Sequence, residues 1–525
     1  MKCDGVRPMC AQCVRADEVE CEYTDGGLTA SQLLEQNVAH LEARIRELEG
    51  RSSESVTLHD PHAAFSQSRH RPHDDSVTGG ERADTQSGSW KIPEVLLKAF
   101  VDHAFAFGFF LNLPRFLAKL DATEEGDNTF PDVILYAVHL VGLVTSRDRS
   151  YKDQESQVLS LLIQSLSSAV SDFHAGQLLH ILQAEVLLSN YFLHHDRRLE
   201  GGYHITAAVS MVLSSNLHRV QDPSSLAIPG PGSVSLPPPT DSVEQGERIN
   251  AFWAVYSLDR FWSVKLGAQS ALSRADLLAS QITTPWPLDM SEYELGMLPD
   301  VWAVQTVSSF LGEDPIDLSN DSYATKRAKG IVLFSDAVQL GSHFVPENPG
   351  FQAKFLEMDS KLEQYKVSFR ATMDQFKSNL EYDNLRPYAT RCMLFTQTMA
   401  HCATIKLHAP LQQDWDIDTS RSLSNAVQAA NLLQELEVTT FEYIDPFMGI
   451  LWSIVASVLI RALTIARQLR AANNTGQSEQ EVLVTNALDR ILNVMQALTV
   501  SDPSAALIAH ELQNIRQHTC IFSSP

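Results

Sequence analysis

The stretch 246–277, GERINAFWAVYSLDRFWSVKLGAQSALSRADL, decides what kind of molecule this chain builds. Phe252, Trp253, Tyr256, Phe261 and Trp262 fall around too much of a 3.6-residue turn to form one stripe facing one neighbour. A helix carrying them has to be enclosed by other elements. Asp259 and Arg260 stand among the rings, and charges withdrawn from water need partners. The segment predicts a well-packed central helix with an internal ion pair.

Outward from that helix the pattern stays helical. The run 131–146, PDVILYAVHLVGLVTS, opens on proline and is apolar nearly all round, which predicts a buried helix. The runs 156–170 and 177–193 carry the striped pattern of packed helices, and 203–220 is another, with Asn216 suited to its C-terminal turn. Six prolines in 222–242 forbid a helix there and predict a long surface loop. The polar run NDSYATK (320–326) reads as a loop, and KRAK (326–329) is too short to argue a nuclear signal. Nothing alternates with the period of a strand. The fold class expected is mostly α, with one large all-α region over 92–525.

With 525 residues, 44% of them hydrophobic and 20% charged, the chain is long enough for a large core. No uninterrupted apolar run reaches about 18 residues, so no membrane partner is expected. The first residues lack the apolar core of a secretory signal. A net charge of −24 supplies no general basic field for nucleic acid, so any DNA contact has to come from a small local module.

Such a module is suggested at the other end of the sequence. Four of the seven cysteines, Cys3, Cys10, Cys13 and Cys21, lie in the first 21 residues. A two-residue gap between Cys10 and Cys13 lets both thiolates face one metal, and zinc favours four such ligands. Gly5 and Pro8 supply tight turns between them. After Gly26 and Gly27, Leu34, Val38, Leu41, Ile45 and Leu48 alternate by four and three, with leucine at the d positions and β-branched residues at the a positions. That is the seam of a parallel two-stranded coiled coil over 28–50, with the partial zinc module over 1–27. Residues 51–91 have no apolar period and read as a disordered tether. His59, His62, His70 and His73 are scattered through this polar stretch and are expected to be solvated rather than ligating.

The opening stretch resembles the fungal binuclear zinc-cluster transcription factors, in which six cysteines hold two zinc ions. The likeness rests on Lys2, Cys3, Asp4 and Gly5 followed by Cys10, Cys13 and Cys21. By position these four match the third to sixth family cysteines, which implies that Cys10 bridges two metals. The resemblance also implies that this sequence begins inside the motif, so that only partial zinc occupancy is expected from it. Lys2, Arg7 and Arg15 are the implied DNA contacts, but they face Asp4, Asp17, Glu18, Glu20, Glu22 and Asp25. Lys2 alone matches a position that approaches the bases. Weak or absent DNA binding is expected of the segment as it stands.

A second resemblance lies in 246–277, which is similar to the signature of the fungal-specific transcription factor domain. Glu247-Arg248, Phe252-Trp253, Tyr256, Asp259-Arg260 and Gly267 carry it, and NLHR (216–219) and IKLHAP (405–410) extend it diffusely over about 95–465. Together the two resemblances imply a zinc-dependent transcription regulator of the nucleus. It would pair as a homodimer or heterodimer through the coil and contact DNA and the transcription machinery. The alternative is a dimerising regulator that cannot read DNA and sequesters full-length partners.

No phosphate-binding glycine loop, dinucleotide fingerprint or zinc-protease helix occurs. His194 and His195 are adjacent and so point to different faces of a helix, and the Asp74-Asp75 pair falls in the tether. No catalytic residues are assigned, and the chain is not expected to be an enzyme.

Overall fold

The computed structural model describes residues 10–16 and 90–521, the latter with breaks at 123–129, 172–173, 221–235, 268–269, 273–281, 300–304, 379–385, 412–419, 502–505 and a few positions near 314, 346, 437–443 and 475. Two units, Met1–Gln86 and Ser87–Pro525, separate along the chain. The expectations placed on Lys2, Cys3, Arg7, Cys21, the seam from Leu34 to Leu48 and the tether lie outside the described residues. In the first unit the described part is one short helix, α1 (Ala11–Arg15).

Every described element of the second unit is helical, as the absence of period-two patterning required. Its first half comprises α2 (Glu94–His103), α3 (Leu113–Ala122), α4 (Asp132–Thr145), α5 (Glu155–Ser171), α6 (Leu178–His194), α7 (Arg198–Ser214), α8 (Ser242–Leu266) and α9 (Met290–Glu294). Its second half comprises α10 (Thr306–Gly312), α11 (Tyr323–Ser342), α12 (Pro349–Ser378), α13 (Arg386–His408), α14 (Arg421–Glu435), α15 (Met448–Asn473), α16 (Glu479–Ser501) and α17 (Ala506–Ile521).

Two hydrophobic cores divide this unit, and α6 serves both. Ile181, Leu188 and Phe192 close the smaller core with α2, α4 and α5, while Leu182, Val186 and Leu193 face the larger one. A helix between two cores is apolar on all sides, which is why 177–193 shows apolar residues at nearly every turn position.

The aromatic helix α8 lies in the larger core and packs on α6, α7, α9 and α11. It starts four residues before the stretch that first identified it, because Asp241 caps it by accepting the Glu244 N–H at 2.9 Å. It stops at Gly267, whose φ of 61° is left-handed. The two buried charges, Asp259 and Arg260, also engage groups outside the helix. The Asp259 carboxylate accepts the N–H groups of Ala271 and Leu272 and the Ser270 hydroxyl, fastening the turn after the helix. Arg260 stacks 4.8 Å from the Tyr256 ring and donates to Ser335 Oγ at 3.0 Å. Consecutive residues on a helix are about 100° apart, so the two side chains reach different neighbours.

Three more readings change. Helix α7 ends at Ser214 rather than near 220, and Asn216 turns the chain at φ 58° into a short 3-10 turn, Leu217–Arg219. NDSYATK is not a loop throughout: Ser322 caps α11 by accepting the Thr325 N–H. KRAK lies in the first turns of that helix, with Lys326 and Lys329 buried and Lys329 paired to Asp321 at 2.7 Å. Helix α15 is long and apolar enough to cross a membrane, yet 72% of its most apolar window is buried against its neighbours. Its composition is that of a core helix enclosed by α13, α14, α16 and α17.

Candidate functional site

A cavity of about 370 Å³ opens beside α8, between the loop after α2, α6, the start of α11 and the turn before α15. Each wall is held by interactions that the local sequence dictates. Gly108, at φ 77°, turns the loop after α2, and Gln183 Oε1 accepts the Phe110 N–H at 2.7 Å while Asn190 donates to the Phe107 carbonyl at 2.9 Å. The loop thereby presents Phe105 and Phe109 to the void. On the opposite side Trp253 Nε1 donates to the Pro285 carbonyl at 2.7 Å, and its indole stacks on Trp286 with centroids 4.7 Å apart.

Asp289 is the joint of the site. It opens α9 in a capping box, where its own backbone N–H donates to Glu292 Oε2 at 2.8 Å, and its two carboxyl oxygens also accept the N–H groups of Tyr323 and Ala324 at 3.1 Å, at the start of α11. One carboxyl therefore ties together two helix N-termini, where negative charge is favoured. Burial raises its pKa from the ordinary carboxylate value, while the backbone donors and the Tyr388 hydroxyl oppose that rise. The same burial pushes the Tyr388 phenol upward and the Cys392 thiol to about 12. A thiol so placed is neutral and unreactive at physiological pH.

Arg327 forms the polar end. Its Nη2 donates to Asp445 Oδ2 at 2.8 Å, and its guanidinium lies 4.1 Å from the Phe395 ring and 5.4 Å from that of Phe105. Nη1 is buried and has no hydrogen-bond partner, and neither has Asn250 Oδ1 on α8. The cavity is an apolar chamber with one paired cation, one unmet donor and one unmet acceptor, an arrangement fitted to holding a molecule.

Sequence reasoning found none of the polar residues of this chamber. Asn250 sat inside the quoted stretch, where a lone amide among apolar rings was a usable signal. Arg327, Asp289 and Asp445 come together from distant segments and gave none.

The residues assigned from sequence lie elsewhere. Cys10 is buried and Cys13 half-buried, and Arg15 is exposed at the end of α1. The Cys13 N–H is directed at Cys10 Sγ at 3.5 Å across that single turn. An amide aimed at sulfur favours the thiolate, the form that binds zinc, so the described pair suits the metal chemically. No group of three or more metal-binding side chains occurs among the described residues.

Comparison with known proteins gives one match. Residues 97–296 fit the profile of the fungal specific transcription factor domain. That span runs from α2 to the end of α9 and contains α8 and the loop after α2. No curated protein and no solved structure matches the chain. Over those 200 of its 525 residues the chain is similar to a transcription-factor domain.

Proposed function

We propose that this chain is a zinc-dependent, sequence-specific DNA-binding transcription regulator acting with RNA polymerase II in the nucleus. The observation that carries the reading is the domain match over 97–296 in a chain that also has Cys3, Cys10, Cys13 and Cys21 at metal-ligand spacing. These four cysteines would hold the zinc, which would fix the fold of the segment bearing Lys2, Arg7 and Arg15. Those cations would neutralise phosphates, and Lys2 would approach the bases. The heptad seam from Leu34 to Leu48 would pair two chains and so set the spacing of two half-sites. The helical unit would be the regulatory part, contacting the transcription machinery.

The test uses the full chain. Zinc per chain is measured by elemental analysis, and duplexes are selected from a randomised pool at two salt concentrations. The expected result is bound zinc that is lost in Cys10→Ser, and enrichment of one sequence whose affinity falls steeply with salt. A folded chain that retains no zinc and enriches no sequence overturns the reading. Sedimentation of wild type and Leu41→Pro tests pairing, with a shift from dimer to monomer expected.

A further inference from the structure

We propose that the cavity beside α8 binds a small, electrically neutral, mostly apolar molecule that carries a carbonyl-type oxygen. Interiors pack closely and seldom leave voids larger than a water molecule, so a chamber of about 370 Å³ is not a packing defect. It lies in the range of about 300–1,000 Å³ usual for small-molecule sites. Phe109, Leu193, Trp253, Phe261, Leu288 and Phe447 make its walls apolar.

Two unmet polar atoms define what the occupant offers. Arg327 Nη1 is a buried donor without an acceptor, and Asn250 Oδ1 is a buried acceptor without a donor. Each such orphan destabilises the empty chamber; a ligand oxygen at the first relieves one cost, and a ligand that also bears an O–H or N–H relieves both. The two groups sit on α11 and α8 respectively, so one molecule meeting both bridges the helices.

Charge decides between a ketone-like and an acid-like ligand. The Arg327 guanidinium is already neutralised by Asp445 at 2.8 Å, and Asp289 adds further acidity to the same chamber. A carboxylate entering this low-dielectric space meets no uncompensated cation, and its desolvation goes unrepaid. A neutral carbonyl takes the free guanidinium N–H without displacing Asp445. The selectivity is for acceptors without charge.

This inference goes beyond the regulator reading and is measured separately from zinc or DNA. The full chain is dialysed to equilibrium against 2-acetylnaphthalene, a neutral aryl ketone, and against 2-naphthoate, its anionic counterpart of nearly equal shape. The ketone is expected to bind roughly tenfold or more tightly than the carboxylate, and to raise the unfolding temperature. Arg327→Lys keeps the charge opposite Asp445 but loses the planar fork, and is expected to weaken the ketone roughly tenfold. Ala254→Leu, on the opposite wall, fills the chamber and is expected to abolish binding. Both variants are checked for a native unfolding transition. The proposal is overturned if the natively folded chain binds neither probe, if the carboxylate binds as tightly as the ketone, or if ketone binding ignores both substitutions. Any of these leaves zinc content and DNA selection unaffected.

Discussion

Arg327 and Asp445, 118 residues apart in sequence, meet at 2.8 Å and join the start of α11 to the turn that launches α15. Both are largely buried, so removing one strands the other. Arg327→Ala is expected to cost about 2–3 kcal/mol, through the unpaired carboxylate and the lost stacking on Phe395. Arg327→Ala combined with Asp445→Ala should cost clearly less than the sum of the two single changes. Urea denaturation of the four proteins checks this, and additive losses would show that the pair is not coupled.

Gly246, on α8, lies under the ring of Tyr293 from α9, so closely that a Cβ there would overlap the ring. Tyr293 is buried and its hydroxyl accepts the Leu288 N–H at 3.0 Å, so it cannot swing aside without opening the cavity wall. Gly246→Ala is expected to destabilise the chain by about 2 kcal/mol. Gly312, at the end of α10, has open space where its Cβ would be, and Gly312→Ala should be neutral or stabilising by up to about 1 kcal/mol. Thermal unfolding of the two variants side by side reads the contrast.

Acid should weaken the larger core through His401. Its imidazole is buried and bonded to Asn425, and burial, with the Lys366 charge beside it, lowers its pKa to about 3. An unfolded histidine titrates near 6.5, so between that pH and about 3 the unfolded chain binds a proton that the folded chain refuses. Stability therefore falls as pH drops through this window. At pH 5.5 the loss from this one residue is on the order of 1 kcal/mol relative to pH 7.5. His401→Gln, which can still donate to Asn425, is expected to remove that share of the pH dependence. Denaturation midpoints of both proteins at the two pH values measure it, and an unchanged difference would contradict the assignment.

How much of this was readable beforehand follows from what each feature depends on. Helices α4, α5 and α6 were legible almost to the residue, because the burial of one helix writes its own period into the sequence. The aromatic crowding of α8 announced a central helix, but the partners of Asp259 and Arg260 were not legible, since they depend on a turn at 270–272 and on Ser335 in α11. The start of α11 is not legible because Ser322 looks like a loop residue until the helix it caps is seen. The chamber was the least legible part. Arg327, Asp289, Asn250 and Asp445 are unremarkable polar residues in sequence, and only the packing of α8, α11 and the turn before α15 makes them neighbours. The cysteine spacing was the reverse case, a chemical signal clear in sequence whose outer members lie outside the described residues.

The thiols allow a last prediction that separates structural from metal-binding cysteines in one experiment. Cys392 and Cys402 are buried in α13; the Cys402 thiol lies 3.3 Å from the Leu451 carbonyl, and burial raises both pKa values, that of Cys392 to about 12. The thiolate is the reactive form, so at pH 8 neither should be alkylated in the native chain, and both should react at once in denaturant. Cys10 and Cys13 sit in a different setting, on one short turn with an amide directed at sulfur. If they hold zinc as proposed, they should be protected in the native chain but become reactive when a chelator is added, with Cys392 and Cys402 still silent. Mass spectrometry of the alkylated peptides reads all four sites. Reaction of Cys392 in the native chain would mean that α13 opens locally, and reaction of Cys10 and Cys13 without chelator would count against a bound metal.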